Sequence, residues 1–422
     1  MAITEEINRP ISQVFRRAYV KRRSATTGLY ESTWQNITEY VVSWGSVSIG
    51  IDNIRLNNFT HSGIDLTVDN TAGKFSVETK TTSLWYGYMT RYRSLLKIES
   101  GYLDDSGNEL PSTVTIGIFI ITDEIVINAV TNQGSIRAKS LISVFDEVRA
   151  AEVAGLGTIN QTASELITKI RDHTDGSSNF VFRNFITSTS WTIQTTTVQY
   201  NLATTTSIGE KTCWDLMNSL AECESFVLLV NREGVFEFRD RNERTATSQF
   251  AFKGQGFNEQ NIISLNEYSE GLNKFYNYFN LKWTTEDTTT SYVSAGLSTT
   301  IDPSSSAWKY GVRIYKMDNP FFATSTVAQG VVNNLVTTFQ TLKEEIKIKS
   351  KFCPQLNILD KVEFSYHSYD LANSTIWDVF NWDESNWAEE NDNFDWTDIP
   401  FKIISCKHNL NDFSSEFALR RI

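Results

Sequence analysis

Tryptophan and carboxylate side chains recur at a fixed spacing near the C-terminal end of this 422-residue chain. Three successive pentads, at residues 377–381, 382–386 and 387–391, each begin with Trp and end with Asn. Residues 371–398 hold eight carboxylates and no Lys or Arg, so they contribute −8 to the net charge of −12. Indole rings stack on sugars and anchor protein interfaces, whereas a pair of carboxylates, one with a raised pKa, can cleave a glycosidic bond. The segment is therefore the first candidate for a functional site.

A period of five residues matches neither a helix nor a strand. Helix positions five apart are rotated by about 140°, and strand positions five apart point to opposite faces. We therefore predict a loop over residues 371–398, inserted between two neighbouring strands that end near Tyr366 and begin near Phe401. Loops of this length are commonly functional or ordered by a partner. The residues that we expect to contact a partner are Trp377, Asp378, Trp382, Asp383, Trp387 and Trp396.

Catalytic and metal-binding motifs give little support to an enzyme. The sequence contains no HExxH, GxSxG or GxGxxG, and none of its four histidines has a second ligand at metal spacing. Residues 209–212, Gly-Glu-Lys-Thr, lack the adjacent Gly-Lys pair of a phosphate-binding loop. Carboxylate pairs occur in most acidic loops, so they do not by themselves indicate a glycosidase. We predict no enzymatic activity, no metal site and no cofactor.

The composition indicates a β-rich globular protein with more than one domain. A chain of 422 residues exceeds one ordinary core, and its 40% hydrophobic and 21% charged content is typical of globular proteins. Aromatic residues reach 13%, which favours strands. No run approaches the roughly 20 apolar residues of a membrane span, and the first residues lack the apolar core of a signal peptide. We expect no membrane insertion, assembly in the cytoplasm, and four cysteines that are buried free thiols.

The acidic balance argues against a nucleic-acid-binding surface, because neutralising phosphates requires clustered Lys and Arg. One basic cluster, at residues 16–23, falls in a probable strand. We interpret this cluster as a solvated or ion-paired edge rather than as a phosphate contact. No sequence-specific nucleic-acid binding is expected.

The N-terminal part is predicted to consist of strands joined by Asx and glycine turns. Residues 39–50 alternate loosely as one strand, and residues 63–68 alternate strictly between apolar and polar side chains. In the turn at residues 69–76, Asp and Asn side chains can bond their own backbone, and Gly73 tolerates a positive φ. A second turn, at residues 104–109, joins two further strands into a hairpin.

The middle part is predicted to be a compact α+β module. Capping boxes at residues 162–165 and 207–210 each precede an apolar helical pattern. Residues 226–230 and 235–238 form a strand pair that is closed by a tight turn.

The C-terminal part returns to strands around one long helix, residues 327–339, whose apolar side chains are four residues apart. Residues 345–351 alternate as an edge strand protected by lysines. Further strands are expected at residues 361–366, 401–407 and 416–422. The predicted domains are an N-terminal β domain at residues 1–139, the α+β module at residues 140–252 and a second β domain at residues 253–422.

The stretch Leu66–Ser76, followed by residues 84–87 and 93–98, resembles the tail hub, or baseplate hub, proteins of tailed bacteriophages. That family has a hydrophobic strand, an Asp-Asn-x-x-Gly-x-Phe-Ser turn, an aromatic segment and an apolar-basic strand in this order. The order of the later helices and strands resembles the family over most of the chain. The residues of the turn motif, to which we assign a structural role, are Asp69, Asn70, Gly73 and Phe75.

The resemblance implies a mainly β fold with two tail-tube-like β-barrel domains and a smaller α+β module. It also implies a homotrimeric ring at the tail tip of a virion, assembled in the host cytoplasm. Its partners there would be a distal tail protein, a tape-measure protein and a tail fibre or spike. An acidic ring suits the passage of DNA, since negative charge on its wall avoids phosphate contacts.

The Trp pentads are not part of the family pattern. They are explained either as contacts with a neighbouring virion protein or as a receptor- or carbohydrate-binding module at the tail tip. In the first case the rings and acids bind a basic protein surface. In the second case the rings stack on sugars while the acids hold hydroxyl groups or calcium. The sequence leaves both interpretations open.

Overall fold

The computed structural model describes most of the chain. The described residues are 7, 13–24, 29–51, 59–61, 63–76, 80–86, 88, 94–110, 113–157, 160–174, 182, 191–200, 202, 208–224, 226–240, 247–257, 259–272, 275–284, 290–296, 306–318, 321, 324–339, 342–367 and 395–422. Among them, no helix has both the length and the apolar character needed to cross a membrane.

Strands dominate the fold, as the composition predicts. The N-terminal strands are β1 (Gln13–Lys21), β2 (Gln35–Asn36), β3 (Val41–Trp44), β4 (Ser46–Ile51), β5 (Phe59–His61), β6 (Ile64–Asp69), β7 (Leu95–Leu103), β8 (Val114–Ile121), β9 (Val126–Asn128) and β10 (Gln133–Ser140). The middle elements are α1 (Ser143–Asp146), β11 (Gln161–Thr162), α2 (Ala163–Arg171), β12 (Trp191–Ile193), β13 (Gln199–Tyr200), α3 (Cys213–Glu224), β14 (Phe226–Val230) and β15 (Phe236–Asp240). The C-terminal elements are β16 (Phe250–Lys253), β17 (Ile262–Ser269), β18 (Tyr278–Thr284), β19 (Thr290–Gly296), α4 (Ser306–Tyr310), β20 (Ile314–Asp318), α5 (Ser325–Phe339), β21 (Glu345–Lys351), β22 (Lys361–His367), β23 (Asp395–Asn409) and β24 (Ser414–Arg421).

Two curled, eight-stranded sheets form the main part of the described structure. The first sheet has the strand order β2-β1-β7-β8-β10-β6-β3, and β9 pairs with β10. The second sheet has the order β16-β22-β23-β24-β21-β17, and β4 joins it by pairing with β23, while β5 pairs with β4. The α+β elements lie between them in the chain, with a three-stranded sheet β12-β15-β14. The mainly β fold predicted from the sequence is confirmed.

The strand predicted at residues 39–50 is in fact two strands that belong to different sheets. β3 pairs with β6 in the first sheet, whereas β4 pairs with β23 in the second. Gly45 lies between them, and a Cβ atom at this position would come within 2.7 Å of the Asp65 carbonyl oxygen. Only glycine allows the backbone to pass this close. The N-terminal segment therefore contributes a strand to the C-terminal sheet, and the domain boundaries at residues 139 and 252 stay a prediction.

The α+β module begins its helices with threonine caps. Thr162 forms the predicted capping box with Glu165 at the start of α2. The second predicted box, at residues 207–210, includes Ser207, which lies outside the described residues. The helix that the box was expected to start, α3, begins later, at Cys213, and the Thr212 hydroxyl accepts the Asp215 amide at 3.1 Å. An N-cap residue typically has an extended backbone, and Thr212 forms a β-bridge with Arg149, which is consistent with that conformation. The predicted strand pair forms as β14 and β15.

The lysine-bearing strand β21 is not an edge strand, contrary to the prediction. It lies between β24 and β17 and pairs with both, so its lysines protect no edge. Lys347 and Lys349 instead form ion pairs with acids of neighbouring segments. Lys347 Nζ lies 2.6 Å from Glu267 Oε2 on β17. The basic cluster at residues 16–23 is ion-paired as predicted, since Arg17 contacts Glu109 and Arg22 Nη2 lies 2.5 Å from Glu31 Oε1. The predicted edge is wrong, because β1 pairs with both β2 and β7.

Buried side chains form three clusters that follow this topology. One fills the first sheet, one fills the second, and the third joins the α+β module to the elements β18, β20 and α5. All four cysteines are buried free thiols, as predicted. Burial raises the pKa of the Cys353 and Cys406 thiols to about 12, so both stay protonated at neutral pH.

Candidate functional site

The two ends of the Trp/acid insertion meet on neighbouring antiparallel strands, as the sequence predicts. In the pairing of β22 with β23, His367 lies opposite Asp395 and Tyr366 lies opposite Trp396. β23 already begins at Asp395, so the predicted loop is too long by its last four residues. The reason is a hydrogen-bonded bulge, in which the Asp398 amide donates to the Ser365 hydroxyl at 2.9 Å.

Most of the insertion lies outside the described residues. Trp377, Asp378, Trp382, Asp383 and Trp387 fall in residues 368–394, so their contact with a partner stays a prediction. What the structure describes is the base from which the insertion leaves the second sheet. We call Phe257, Tyr268, Phe364, His367 and Trp396 the insertion base.

Aromatic rings pack closely at the insertion base. The Trp396 ring lies 5.6 Å from the Tyr268 ring and 5.5 Å from the Phe364 ring, centre to centre. The His367 ring stacks on Phe257 at 4.6 Å with an angle of 19° between the planes. Such pairs add about 0.5–1.5 kcal/mol each beyond the area that they bury. Trp396 thus packs inside its own chain, and its predicted contact with a partner stays a prediction.

Two glycines allow the loop after β16 to approach these rings. A Cβ atom on Gly254 would come within 2.2 Å of the Tyr366 ring, and one on Gly256 within 2.7 Å of the His367 ring. Gly256 also has a φ of +90°, which L side chains rarely adopt. Neither glycine was predicted from the sequence, although a Gly-x-Gly that follows a Phe-x-Phe strand is a signal of close backbone approach. They allow the loop after β16 to lie directly against the end of β22, from which the insertion leaves.

A polar groove of about 530 Å³ borders the insertion base at Tyr268. In it, Arg421 Nη1 lies 2.6 Å from Glu344 Oε2. Burial lowers the pKa of the Lys343 ammonium, and the neighbouring Arg420 lowers it further. Burial also raises the pKa of the Tyr268 hydroxyl, with the Glu344 charge acting in the same direction. The groove thus offers paired charges of both signs, which suits a polar protein contact.

Catalytic chemistry has no support in the described part of the chain. The residues that line the groove include no His, Cys or Ser. Within the described ranges, no group of three or more His, Cys, Asp or Glu side chains is placed to hold a metal ion. His408 is buried against the Ser415 hydroxyl at 2.9 Å, where solvent does not reach it.

The turn at residues 69–76 forms a set of Asx hydrogen bonds. The Asn70 Oδ1 accepts the Phe75 amide at 2.7 Å, and the Gly73 amide donates to the Asn70 carbonyl oxygen at 2.7 Å. Gly73 has a φ of +70°. The Thr71 hydroxyl and amide both donate to Asp69 Oδ1, and these hydrogen bonds lower the pKa of the Asp69 carboxyl. The four motif residues therefore act together in one turn.

The turn places Phe75 at one end of the first sheet's core. Phe75 is fully buried, and its ring lies 6.1 Å from the Trp85 ring and 5.7 Å from the Tyr40 ring. The Trp85 indole donates to the Ser94 hydroxyl at 2.8 Å. These contacts give the motif a packing role.

No protein-family model matches the sequence, and comparison with curated proteins finds no match. Solved structures do share the fold. The prophage tail protein gp18 from Listeria monocytogenes EGD-e is 11% identical with a TM-score of 0.51, over 96% of this chain and 94% of that one. The tail protein from Neisseria meningitidis MC58 is 8% identical with a TM-score of 0.53, over 96% of each chain. The fold of this chain is therefore that of these two tail proteins.

Proposed function

We propose that this chain is a structural protein of a phage-type tail, a hub that forms a trimeric ring at the distal end of the tail tube. The observation that supports this proposal is the pair of curled, eight-stranded sheets, linked by β4, in a fold shared with two tail proteins over 96% of the chain. Three copies with two such sheets each would present six similar units to a hexameric tube. In this role the ring joins the tube to a distal tail protein, a tape-measure protein and a central fibre or spike.

The charges of the chain suit a ring through which DNA passes. The net charge is −12, and in the densest basic cluster, at residues 16–23, Arg17 and Arg22 are bound to Glu109 and Glu31. Paired bases are poor phosphate ligands because their partners already neutralise them. A wall of this kind lets DNA slide without being held.

In the proposed hub, the Trp/acid insertion is the part that binds a partner protein. Its rings and carboxylates, without any base, match a basic surface with apolar pockets on a neighbouring protein. The insertion base supports this role, because packed rings and close glycines keep the two ends of the segment fixed on β22 and β23. The chain acts in this proposal by binding and not by catalysis.

The assembly state of the purified protein tests the proposal. We expect light scattering coupled to gel filtration to give a trimer and electron microscopy to show rings with a central opening. Antibodies against the chain should label the tail tip of virions. A protein that stays monomeric at high concentration and is absent from purified virions would overturn the proposal.

A receptor- or carbohydrate-binding module remains the second candidate, and the repeated Trp at a spacing of five residues favours it. Isothermal titration with cell-wall and capsule oligosaccharides separates the two functions. Binding that is lost on changing Trp382 and Trp387, in a virion that still assembles, would favour the receptor role.

A further inference from the structure

Three large apolar side chains are exposed within seven residues, between α4 and the start of β20, the edge strand of the small sheet β19-β18-β20. Trp308 on α4 is 60% exposed, Val312 is 48% exposed and Ile314 on β20 is 46% exposed. Lys309 and Lys316 are exposed beside them in the sequence. We call these five residues the Trp308 surface. Exposed apolar clusters of this kind mark interaction sites, and Trp is the residue most enriched among binding hot spots.

The alternation of β20 explains why this face is apolar. Tyr315 and Met317 point into the core, where the Tyr315 ring lies 6.0 Å from the Phe279 ring and 6.2 Å from the Phe339 ring. Ile314 and Lys316 must therefore point to the opposite face. In the described part of this sheet, β20 is an edge strand that pairs with β18 only.

The segment between α4 and β20 is held in place by hydrogen bonds. The Arg313 guanidinium donates to the Leu272 carbonyl oxygen at 2.6 Å, and the Arg313 amide donates to Asn277 Oδ1 at 2.8 Å. The Asn277 Nδ2 donates to the Gly311 carbonyl oxygen at 2.8 Å. The Trp308 surface is thus preorganised, which lowers the entropy that a partner must overcome on binding.

The charge of this surface is opposite to that of the chain as a whole. The Trp308 surface carries two bases, Lys309 and Lys316, and residues 308–316 contain no acid, in a chain of net charge −12. The nearest following acid, Asp318, is paired with Lys282 at 3.3 Å. In the basic cluster at residues 16–23, by contrast, Arg17 and Arg22 are ion-paired and Lys21 is buried. The Trp308 surface therefore attracts an acidic partner that also carries apolar groups.

We propose that the Trp308 surface binds residues 377–392, the Trp/acid insertion, of a second copy of the chain. This segment has three Trp, six carboxylates and no base, so its charge and its apolar groups complement those of the surface. Residues 368–394 connect neighbouring strand positions, and half of this length, fully extended, would span roughly 45 Å at most. This length would allow the segment to extend away from its own sheet towards a second copy. The inference rests on the self-assembly that the proposed function requires.

The test is binding of a fluorescein-labelled peptide of residues 375–394 to the full chain, followed by fluorescence anisotropy. We expect saturable binding that weakens as salt is raised, because opposite charges are screened. The variant Lys309→Glu/Lys316→Glu should bind at least about tenfold more weakly, since attraction becomes repulsion. Arg137→Glu/Lys139→Glu, which reverses two exposed charges on β10, is the matched control and should bind like the wild type.

A charge swap makes the test specific. A peptide in which Asp378, Asp383 and Glu384 are changed to Lys should bind the Lys309→Glu/Lys316→Glu variant and fail to bind the wild type. Equal affinity of the original peptide for the wild type and for this variant would overturn the inference. So would a result in which the Trp308 surface binds a different tail protein and does not bind the peptide.

The outcomes separate this inference from the proposed function. If the protein forms ring-shaped assemblies but does not bind the peptide, the proposed hub function is retained and the inference is overturned. Peptide binding by a protein that forms no ring and is absent from virions would support the contact but overturn the hub.

Discussion

The guanidinium of Arg16 lies 5.1 Å from the centre of the Trp44 indole ring. Arg16 is on β1 and Trp44 ends β3, and these strands lie near opposite ends of the strand order of the first sheet. Their contact therefore shows how far that sheet curls, since its two margins come together. Arg16 also lies 5.0 Å from the Phe413 ring and donates to the Leu410 carbonyl oxygen, both of which follow β23 of the second sheet. One side chain thus joins three parts of the fold.

We predict that Arg16→Met lowers the free energy of unfolding by about 1–3 kcal/mol, because two cation–π contacts and a charged hydrogen bond are lost. Methionine keeps most of the aliphatic stem, so the loss reports mainly on the guanidinium. Urea unfolding followed by Trp fluorescence measures the change. Arg137→Met, at an exposed position of β10, is the control and should change stability little. Equal effects of the two changes would contradict the role assigned to Arg16.

Gly256→Ala should be more destabilising than Gly107→Ala. Both positions have a positive φ, of +90° and +80°, so both changes carry the same type of backbone strain, about 1–2 kcal/mol. A Cβ atom at Gly107 meets nothing within 4 Å, whereas at Gly256 it lies 2.7 Å from the His367 ring. The difference between their free energies of unfolding therefore measures the packing of the insertion base. If the two variants are equally stable, the close approach of residue 256 to the His367 ring does not limit the packing of the insertion base.

Acid should weaken the second sheet through His408. Burial and the nearby Arg232 charge lower the pKa of His408 to about 4, from an ordinary value of 6.5. The unfolded chain therefore binds a proton below pH 6.5 that the folded chain does not. The neutral ring contributes stability above pH 6.5, and this contribution is lost as the pH falls from 6.5 towards 4.

We predict that the wild type loses about 3 kcal/mol more than His408→Gln between pH 7 and pH 4. Urea titrations at half-unit pH steps give the two curves. Ser415→Ala serves as the control, because it removes the hydroxyl 2.9 Å from His408 Nδ1 but keeps the buried ring. It should lower stability at every pH and retain the wild-type slope. Parallel curves for the wild type and His408→Gln would show that His408 does not carry the acid response.

The double variant Trp382→Ala/Trp387→Ala is expected to block tail assembly. In the proposed hub these rings bind a neighbouring protein, and loss of a hot-spot Trp typically costs about 2 kcal/mol or more of binding free energy. Complementation of a deletion, scored by electron microscopy and by adsorption to cells, measures the effect. Trp396→Ala is the informative comparison, since its ring packs on Tyr268 and Phe364 and its loss should lower the stability of the isolated chain. Intact tails that fail to adsorb would instead favour the receptor role.

Local features were predictable because the residues that form them are close in sequence. The Asn70 and Gly73 turn, the Thr162 capping box and the hairpin of β14 and β15 depend on hydrogen bonds that span only a few residues. The predicted start of α3 was wrong for the opposite reason. Thr212 caps that helix because it is held extended by Arg149, a residue more than sixty positions away.

The sequence alone determined the β-rich class, the turn motif and the place of the Trp/acid insertion between two neighbouring strands. Its alternation and turn residues are enough for this, because they show which segments are strands and where they end. Only the tertiary structure decided that β4 joins the second sheet, that β21 is an inner strand and that Gly256 must be small beneath His367. The physical reason is that strand partners and close contacts depend on atoms far apart in the chain, such as Arg16 and Leu410. Alternation specifies which face of a strand is buried but not which strand lies beside it.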